Sequence, residues 1–364
     1  MNIVHFHPNF KMANRFVNPL LNIEEKYKFK TNLVVADSDN PKNKCTTIKF
    51  KLDFKNFLLL PIRLYQIYSY LKKSNIDLLI SHNSTSSLLP LLASKILGIK
   101  NRIYFNHGVP YLAYKGLLKF TLYFLEYCNY KLSTEIITVS EEMRHFLNNF
   151  GEKKISIINN GSACGINLKD FKKSKFNNFS KKKLNLKIND FTILYVGRPV
   201  KRKGFNFTIL MWEKYFKNKS YKLLLCGCED KDVKSILNYL PNNIIPLGFI
   251  EEIEEIYNLS DILVLPSDHE GFPYAVLEAM ASNCIVIGND VVGINNIIKN
   301  NKNGYLIQKN DFKSYAQKIN DLFYKKKITK KIKNQARIDV KKFSRDAFLK
   351  KYIIFINNIR NPQT

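Results

Sequence analysis

Acidic side chains are the scarce class in this chain, 30 Asp and Glu against 58 Lys and Arg, for a formal charge of +28. Such a field favours phosphates, nucleic acid or an anionic membrane face over cationic partners. Uncharged apolar runs are short, and none approaches the ~20 residues a spanning helix needs. The opening MNIVHF has no basic segment followed by an apolar one, so a secretory leader is not expected either. The six cysteines are scattered, and the closest pair, Cys226 and Cys228, has one residue between them, which excludes a zinc-ribbon spacing and leaves reduced thiols as the reading. Repeats and low-complexity tracts are absent. These absences point to a cytoplasmic chain that touches a membrane, if at all, from one side.

What is present is a βαβ alternation. With 364 residues, 45% of them hydrophobic, two packed domains are expected. Short β-branched runs at 2–6, 32–36, 77–81, 102–106, 135–139 and 155–158 alternate with segments of helical period. The alternation restarts after the lysine-rich stretch 169–190, with runs at 191–196, 221–226, 244–247, 261–265, 284–287 and 304–307. The pattern predicts two Rossmann-like parallel sheets. The N-terminal domain is set at 1–165 and the C-terminal domain at 166–342, with the helical tail 343–364 packing back on the first. In open sheets of this kind ligands bind outside the carboxyl ends of the strands, so a cleft between the halves would receive loops from both.

Two motifs follow such strand ends in the C-terminal half. In FTILYVGRPVKRKGF a buried-looking strand runs into Gly197, Arg198, Pro199, three basic residues and Gly204, and then the helix 205–216. Arg198 offers a rigid fork of donors, Lys203 a mobile charge and the helix start oriented N–H groups, which together suit a diphosphate. An ordinary basic turn would read the same way if it stood alone. Downstream, DILVLPSDHEGFPYAVLEAM runs from strand through loop to helix and carries Glu270 and Glu278. Eight residues span a little over two turns, so Glu278 stays on the face that Glu270 approaches from the loop. A carboxylate accepts two hydroxyl hydrogen bonds at once, which suits the vicinal diols of a sugar and a ribose. Gly271 lets backbone approach a ligand, and Pro273 near the first helical position leaves N–H groups free. Taken singly, either glutamate fits a solvated acid.

In order and spacing these residues resemble the retaining glycosyltransferases of family 4, with the two-domain GT-B architecture. Their E-x7-E motif reads Glu270-GFPYAVL-Glu278, their Gly-Arg and Lys-Gly read Gly197-Arg198 and Lys203-Gly204, and Asn160-Gly161 and His107-Gly108 match two further signatures. The resemblance implies that Arg198 and Lys203 bind the donor diphosphate, Glu278 the ribose, and Glu270 with the Gly271–Phe272–Pro273 backbone the sugar, while His107 faces the donor sugar. It departs at two places. The turn after the first strand, HFHPNFKMANRF, has no glycine, and the usual Gly-Gly-x-x-Glu is here Val292-Gly293-Ile294-Asn295-Asn296. The segment NHGVPYLAYKGLLKFTLYFLEYCN is similar to bacterial members that add an N-acetylhexosamine, often GalNAc, to an undecaprenyl-diphosphate-linked sugar. That likeness implies a UDP-sugar donor, a lipid-diphosphate-linked saccharide acceptor in O-antigen, capsule or related glycan assembly, and a place on the inner face of the cytoplasmic membrane. It implies no cofactor and no metal.

Asp37-Ser38-Asp39 has a metal-binding look but fits a turn of solvated acids better. His82 reads as a hydrogen-bonded structural histidine. The helices 55–73 and 115–131 mix aromatics with lysines, the composition of an interfacial membrane face, although core stripes with basic outer faces explain Phe120, Tyr123 and Phe124 equally. Residues 1–165 carry 22 bases against 11 acids, which suits an anionic surface. A nucleotide-sugar epimerase would share the same scaffold. Nucleic-acid binding is not expected, because the lysines are spread out with no recognised module.

Overall fold

A computed structural model describes residues 1–36, 45–47, 57–171, 184, 186–187 and 189–361. The chain forms two compact units, Met1–Gly165 with Arg345–Thr364, and Ile166–Ser344. The triplet at 37–39 and most of the stretch 169–190 lie outside the described residues.

In the first unit a seven-stranded sheet comprises β1 (Asn2–His7), β2 (Lys30–Val35), β3 (Cys45–Thr47), β4 (Leu78–His82), β5 (Asn101–Asn106), β6 (Glu135–Thr138) and β7 (Ile155–Ile157). The order is β3-β2-β1-β4-β5-β6-β7, and every pairing is parallel. Six of these strands fall on the runs read from sequence, within two residues at each end. The seventh, Cys45–Thr47, has three residues and was not foreseen, because so short an edge strand carries no period of its own.

The second unit holds β8 (Thr192–Val196), β9 (Lys222–Cys226), β10 (Ile244–Gly248), β11 (Ile262–Leu265), β12 (Ile285–Asn289) and β13 (Tyr305–Ile307), ordered β10-β9-β8-β11-β12-β13 and again parallel. Alternate side chains of these strands divide between two apolar clusters. Ile193, Tyr195, Leu223, Leu225, Ile262, Val264, Ile285 and Ile287 join one. Leu194, Leu224, Cys226, Leu263, Leu265 and Val286 join the other. A period of two with both sets buried means that helices cover both faces, and this is why the strands read as continuous apolar runs.

Each sheet reverses its strand order once. The first does so where β1 lies between β2 and β4, the second where β8 lies between β9 and β11. Loops leave a switch point in opposite directions, which opens a crevice at the carboxyl ends of the strands. Both candidate clusters of polar residues stand at these points.

The tail forms helices Lys326–Asp339 and Arg345–Arg360. Phe348, Tyr352, Ile353 and Ile356 of the latter are buried in the first unit, against the helix Asn18–Lys26.

Candidate functional site

The turn after β8 carries Arg198, Lys203 and Gly204. Tyr195 is fully buried and donates its hydroxyl to the Arg198 carbonyl at 3.0 Å, which fixes the turn while the Arg198 side chain stands exposed. Among the described residues Arg198 forms no salt bridge. Lys201–Lys203 make a single 3-10 turn, and Gly204, which has no side chain to offer the first N–H groups, caps the helix Phe205–Phe216 at φ +73°. A Cβ on Gly204 would lie 2.2 Å from the Pro266 carbonyl oxygen. Only glycine therefore brings this helix start against the end of β11.

The loop after β11 is bound on both sides. The Asp268 N–H donates to the Arg202 carbonyl at 2.8 Å, and the Glu270 N–H donates to the Val292 carbonyl at 3.1 Å. Gly293, at φ +90°, is packed so closely on Glu270 that a Cβ would meet its carbonyl oxygen at 2.2 Å. So the segment that replaces Gly-Gly-x-x-Glu keeps the glycine that the Glu270 backbone requires.

The structure joins two of the sequence candidates directly. Lys203 Nζ lies 2.7 Å from both carboxylate oxygens of Glu270, with the side chains 23% and 9% exposed. The family resemblance implies different parts of a ligand for these two residues, and their contact is not readable from the sequence because 67 residues separate them. An ammonium has three N–H donors, so the pair fixes the position of Lys203 without exhausting it. Glu278 is buried on the helix Tyr274–Ala281. Pro273 occupies the N-cap of that helix, one position before the first helical residue. Phe272 packs edge-on against Tyr274 and tilted against Phe343, with both ring centroids 5.8 Å away.

In the first unit His107 and Gly108 follow β5. The His107 ring is hydrogen-bonded to His82, with Nε2 3.0 Å from His82 Nδ1. His82 is fully buried and bonded through both ring nitrogens, so it has the structural role read from sequence. Beside it, Asn106 receives the Gly108 N–H at 3.1 Å and donates to the buried carboxylate of Glu126 at 2.7 Å, which Tyr104 also reaches at 2.6 Å. Burial outweighs these donors and lifts Glu126 to about 7. At the end of β1 the His7 ring donates to the Asn9 carbonyl at 2.8 Å, and in the glycine-free turn that follows the Asn9 side chain caps the helix Phe10–Phe16. Burial pushes His7 down to about 4. No cluster of three or more metal-ligating side chains occurs among the described residues.

The helix Gly116–Leu132 resolves an alternative left open by the sequence. Leu117 is 81% and Phe120 67% exposed, Phe124 is also exposed, and Tyr123 sits edge-on against Tyr111. Phe120 and Phe124 are thus not core residues.

Two parallel α/β units, each with its switch point, are the GT-B architecture expected from the sequence, and in the second a basic strand-to-helix turn is tied to an acidic loop. HepE of Anabaena, crystallised with UDP and glucose, matches this fold with a TM-score of 0.82 at 16% identity, over 98% of this chain and 100% of its own. Residues 176–339 match the model "Glycosyl transferases group 1" and residues 33–162 the model "Glycosyltransferase Family 4". The "Capsular polysaccharide biosynthesis glycosyltransferase CapM" of Staphylococcus aureus is 31% identical over 271 residues, 71% of this chain and 70% of the relative. The "N,N'-diacetylbacillosaminyl-diphospho-undecaprenol alpha-1,3-N-acetylgalactosaminyltransferase" of Campylobacter jejuni is 27% identical over 301 residues, 79% of each. The chain belongs to the family 4 glycosyltransferases and is a glycosyltransferase. Nothing among these relatives supports the epimerase reading.

Proposed function

We propose that the chain is a retaining, metal-independent transferase that moves an N-acetylhexosamine, GalNAc above others, from a UDP-sugar to a lipid-diphosphate-linked saccharide during surface-polysaccharide assembly. The pairing of Lys203 with Glu270 carries this reading, because it sets a diphosphate-binding cation beside a hydroxyl-binding carboxylate. Arg198, Lys203 and the helix start at Gly204 would meet the charge that develops on the leaving diphosphate, in place of a metal. Glu270 orients the sugar and Glu278 the ribose. The relative from Campylobacter is named for GalNAc transfer to a diphospho-undecaprenol sugar, and the fold match with HepE was crystallised with UDP and glucose; both support the choice of donor and acceptor.

The membrane part of the proposal rests on the first unit. Leu117, Leu118, Phe120 and Phe124 are exposed on one helix together with Lys119 and its N-cap Lys115, and Leu58, Ile62 and Tyr65 are exposed around the start of the helix Leu60–Ser74. Apolar side chains among lysines suit the inner face of an anionic bilayer. No helix among the described residues is long and apolar enough to cross a membrane.

A panel of UDP-, GDP- and ADP-sugars, assayed with lipid-diphosphate and free-sugar acceptors and with chelator present, tests the whole. UDP-GalNAc and the lipid acceptor are expected to give the fastest transfer, with retained anomeric configuration and no loss on chelation. Inverted product, or equal rates on free sugar, overturns the corresponding part.

A further inference from the structure

The first unit contains a buried polar chain that ends on His107. It begins at Glu24, on the helix Asn18–Lys26, a fully buried carboxylate that receives the Thr31 hydroxyl at 2.7 Å and the Tyr352 hydroxyl at 2.6 Å. His5 Nε2 lies 3.0 and 3.2 Å from its two oxygens. His5 Nδ1 is 3.0 Å from His82 Nε2, and His82 Nδ1 is 3.0 Å from His107 Nε2. Both inner rings are completely buried. Among the described residues, no hydrogen bond reaches His107 Nδ1.

Proton positions along this chain follow from its end. The Glu24 carboxylate accepts from Thr31 and Tyr352, and with a neutral His5 the contact at Nε2 is an N–H donation, which leaves His5 Nδ1 to accept. The same rule then passes along the chain. His82 donates from Nε2 and accepts at Nδ1, and His107 donates from Nε2. Burial holds His82 well below the ordinary imidazole range and, with His7 nearby, lowers His107 to about 3, so both rings are neutral near pH 7. Running the chain the other way requires one added proton at the Glu24–His5 end.

We propose that Glu24, His5 and His82 are positioning residues for His107: the chain fixes the His107 proton on Nε2 and leaves Nδ1 as a hydrogen-bond acceptor. The ligand group that His107 recognises is then a hydroxyl that donates, not a carbonyl or phosphate oxygen. The other nitrogen's hydrogen bond decides which imidazole nitrogen is protonated, and here that bond is set three side chains away. This deepens the reading of His107 as a sugar contact and rests on it.

Ring-15N NMR of the full chain labelled with [15N]histidine, together with transfer kinetics, tests the inference. His107 is expected to show a protonated Nε2 and a bare Nδ1 at pH 7, and a protonated Nδ1 overturns the proposal. Glu24→Gln removes the carboxylate while keeping its shape. It is expected to let His107 populate both tautomers and to lower kcat about tenfold or more, with donor KM within about twofold. Tyr352→Phe removes a different partner of Glu24, equally buried, and is expected to change neither readout. A folded Glu24→Gln that keeps one tautomer, or a Tyr352→Phe that matches it in both readouts, overturns the proposal. If Glu24→Gln does not fold, His5→Asn gives the same comparison. The spectra decide the chain without any activity, so failure of all nucleotide sugars would count against His107 as a sugar contact and not against the chain.

Discussion

At the scale of single residues, the two cations read together from sequence are placed differently. Arg198 is exposed and unpaired with acids among the described residues, whereas Lys203 holds a nearly buried Glu270. Arg198→Ala is therefore expected to lower transfer ~30- to 1000-fold, the loss of ~2–4 kcal/mol of transition-state stabilisation, with an unchanged melting temperature. Lys203→Ala should lower transfer comparably and also melt earlier, by roughly 1–3 kcal/mol of stability, because it strands the Glu270 carboxylate. Near-normal turnover in either variant would sink the diphosphate assignment. Glu126 gives a pH prediction. Its carboxyl is raised to about 7 in the folded chain, by burial, against the ordinary value of 4.5; Tyr104 faces it directly and Tyr111 lies close enough to feel its charge. The folded state thus prefers the neutral acid. Its contribution to stability is fully present below the unfolded value and is lost as pH rises through about 7. Glu126→Gln, which stays neutral, is expected to melt close to wild type near pH 4.5 and above it at pH 8. Equal melting temperatures at both pH values would show that the carboxyl is not held neutral.

At the scale of elements, glycines decide where the loops after β8 and β11 meet. Gly204 stands at φ +73° with its missing Cβ inside the Pro266 carbonyl. Gly204→Ala should cost about 2–3 kcal/mol through strain and displacement of the helix start, and should weaken UDP binding measured by calorimetry. An alanine variant that binds UDP normally would show that the helix start does not contact the diphosphate. The strands and helices of this unit were legible because buried β-branched runs and 3.6-residue stripes are local signals. Helices 205–216 and 274–281 lie where the periods put them. The Lys203–Glu270 pair was not legible, since it depends on β8 and β11 being neighbours. The imidazole chain was missed for a similar reason, although a signal existed: His5 and His7 on β1, His82 ending β4 and His107 following β5 all stand toward the ends of strands that the sheet places side by side.

At the scale of the whole molecule, the proposed attachment to an anionic surface would be salt-dependent for a chain of charge +28, with each lysine near the bilayer worth roughly 1 kcal/mol. Exposed Leu117, Phe120 and Phe124 would add a part that salt does not screen. Wild type is expected to co-sediment with anionic vesicles at low salt and to be retained partly at high salt. Replacing the three by Ser should remove the salt-resistant fraction, at least a tenfold loss in partition, ~1.4 kcal/mol, while leaving transfer to a detergent-dispersed acceptor intact. Absence of the wild type from anionic vesicles at every salt concentration would defeat the membrane reading and leave the donor site untouched.

The sequence by itself determined the two α/β halves, the strand positions and the family motifs, because periodicity and motif spacing are properties of short segments. Tertiary structure alone decided that Lys203 grips Glu270, that Gly293 is fitted to the Glu270 backbone, that Phe120 and Phe124 face outward, and that Glu24 is wired to His107. Each of those depends on which strands lie side by side and on which helix face is covered, and long-range packing free energy chooses among arrangements that local spacing leaves equal.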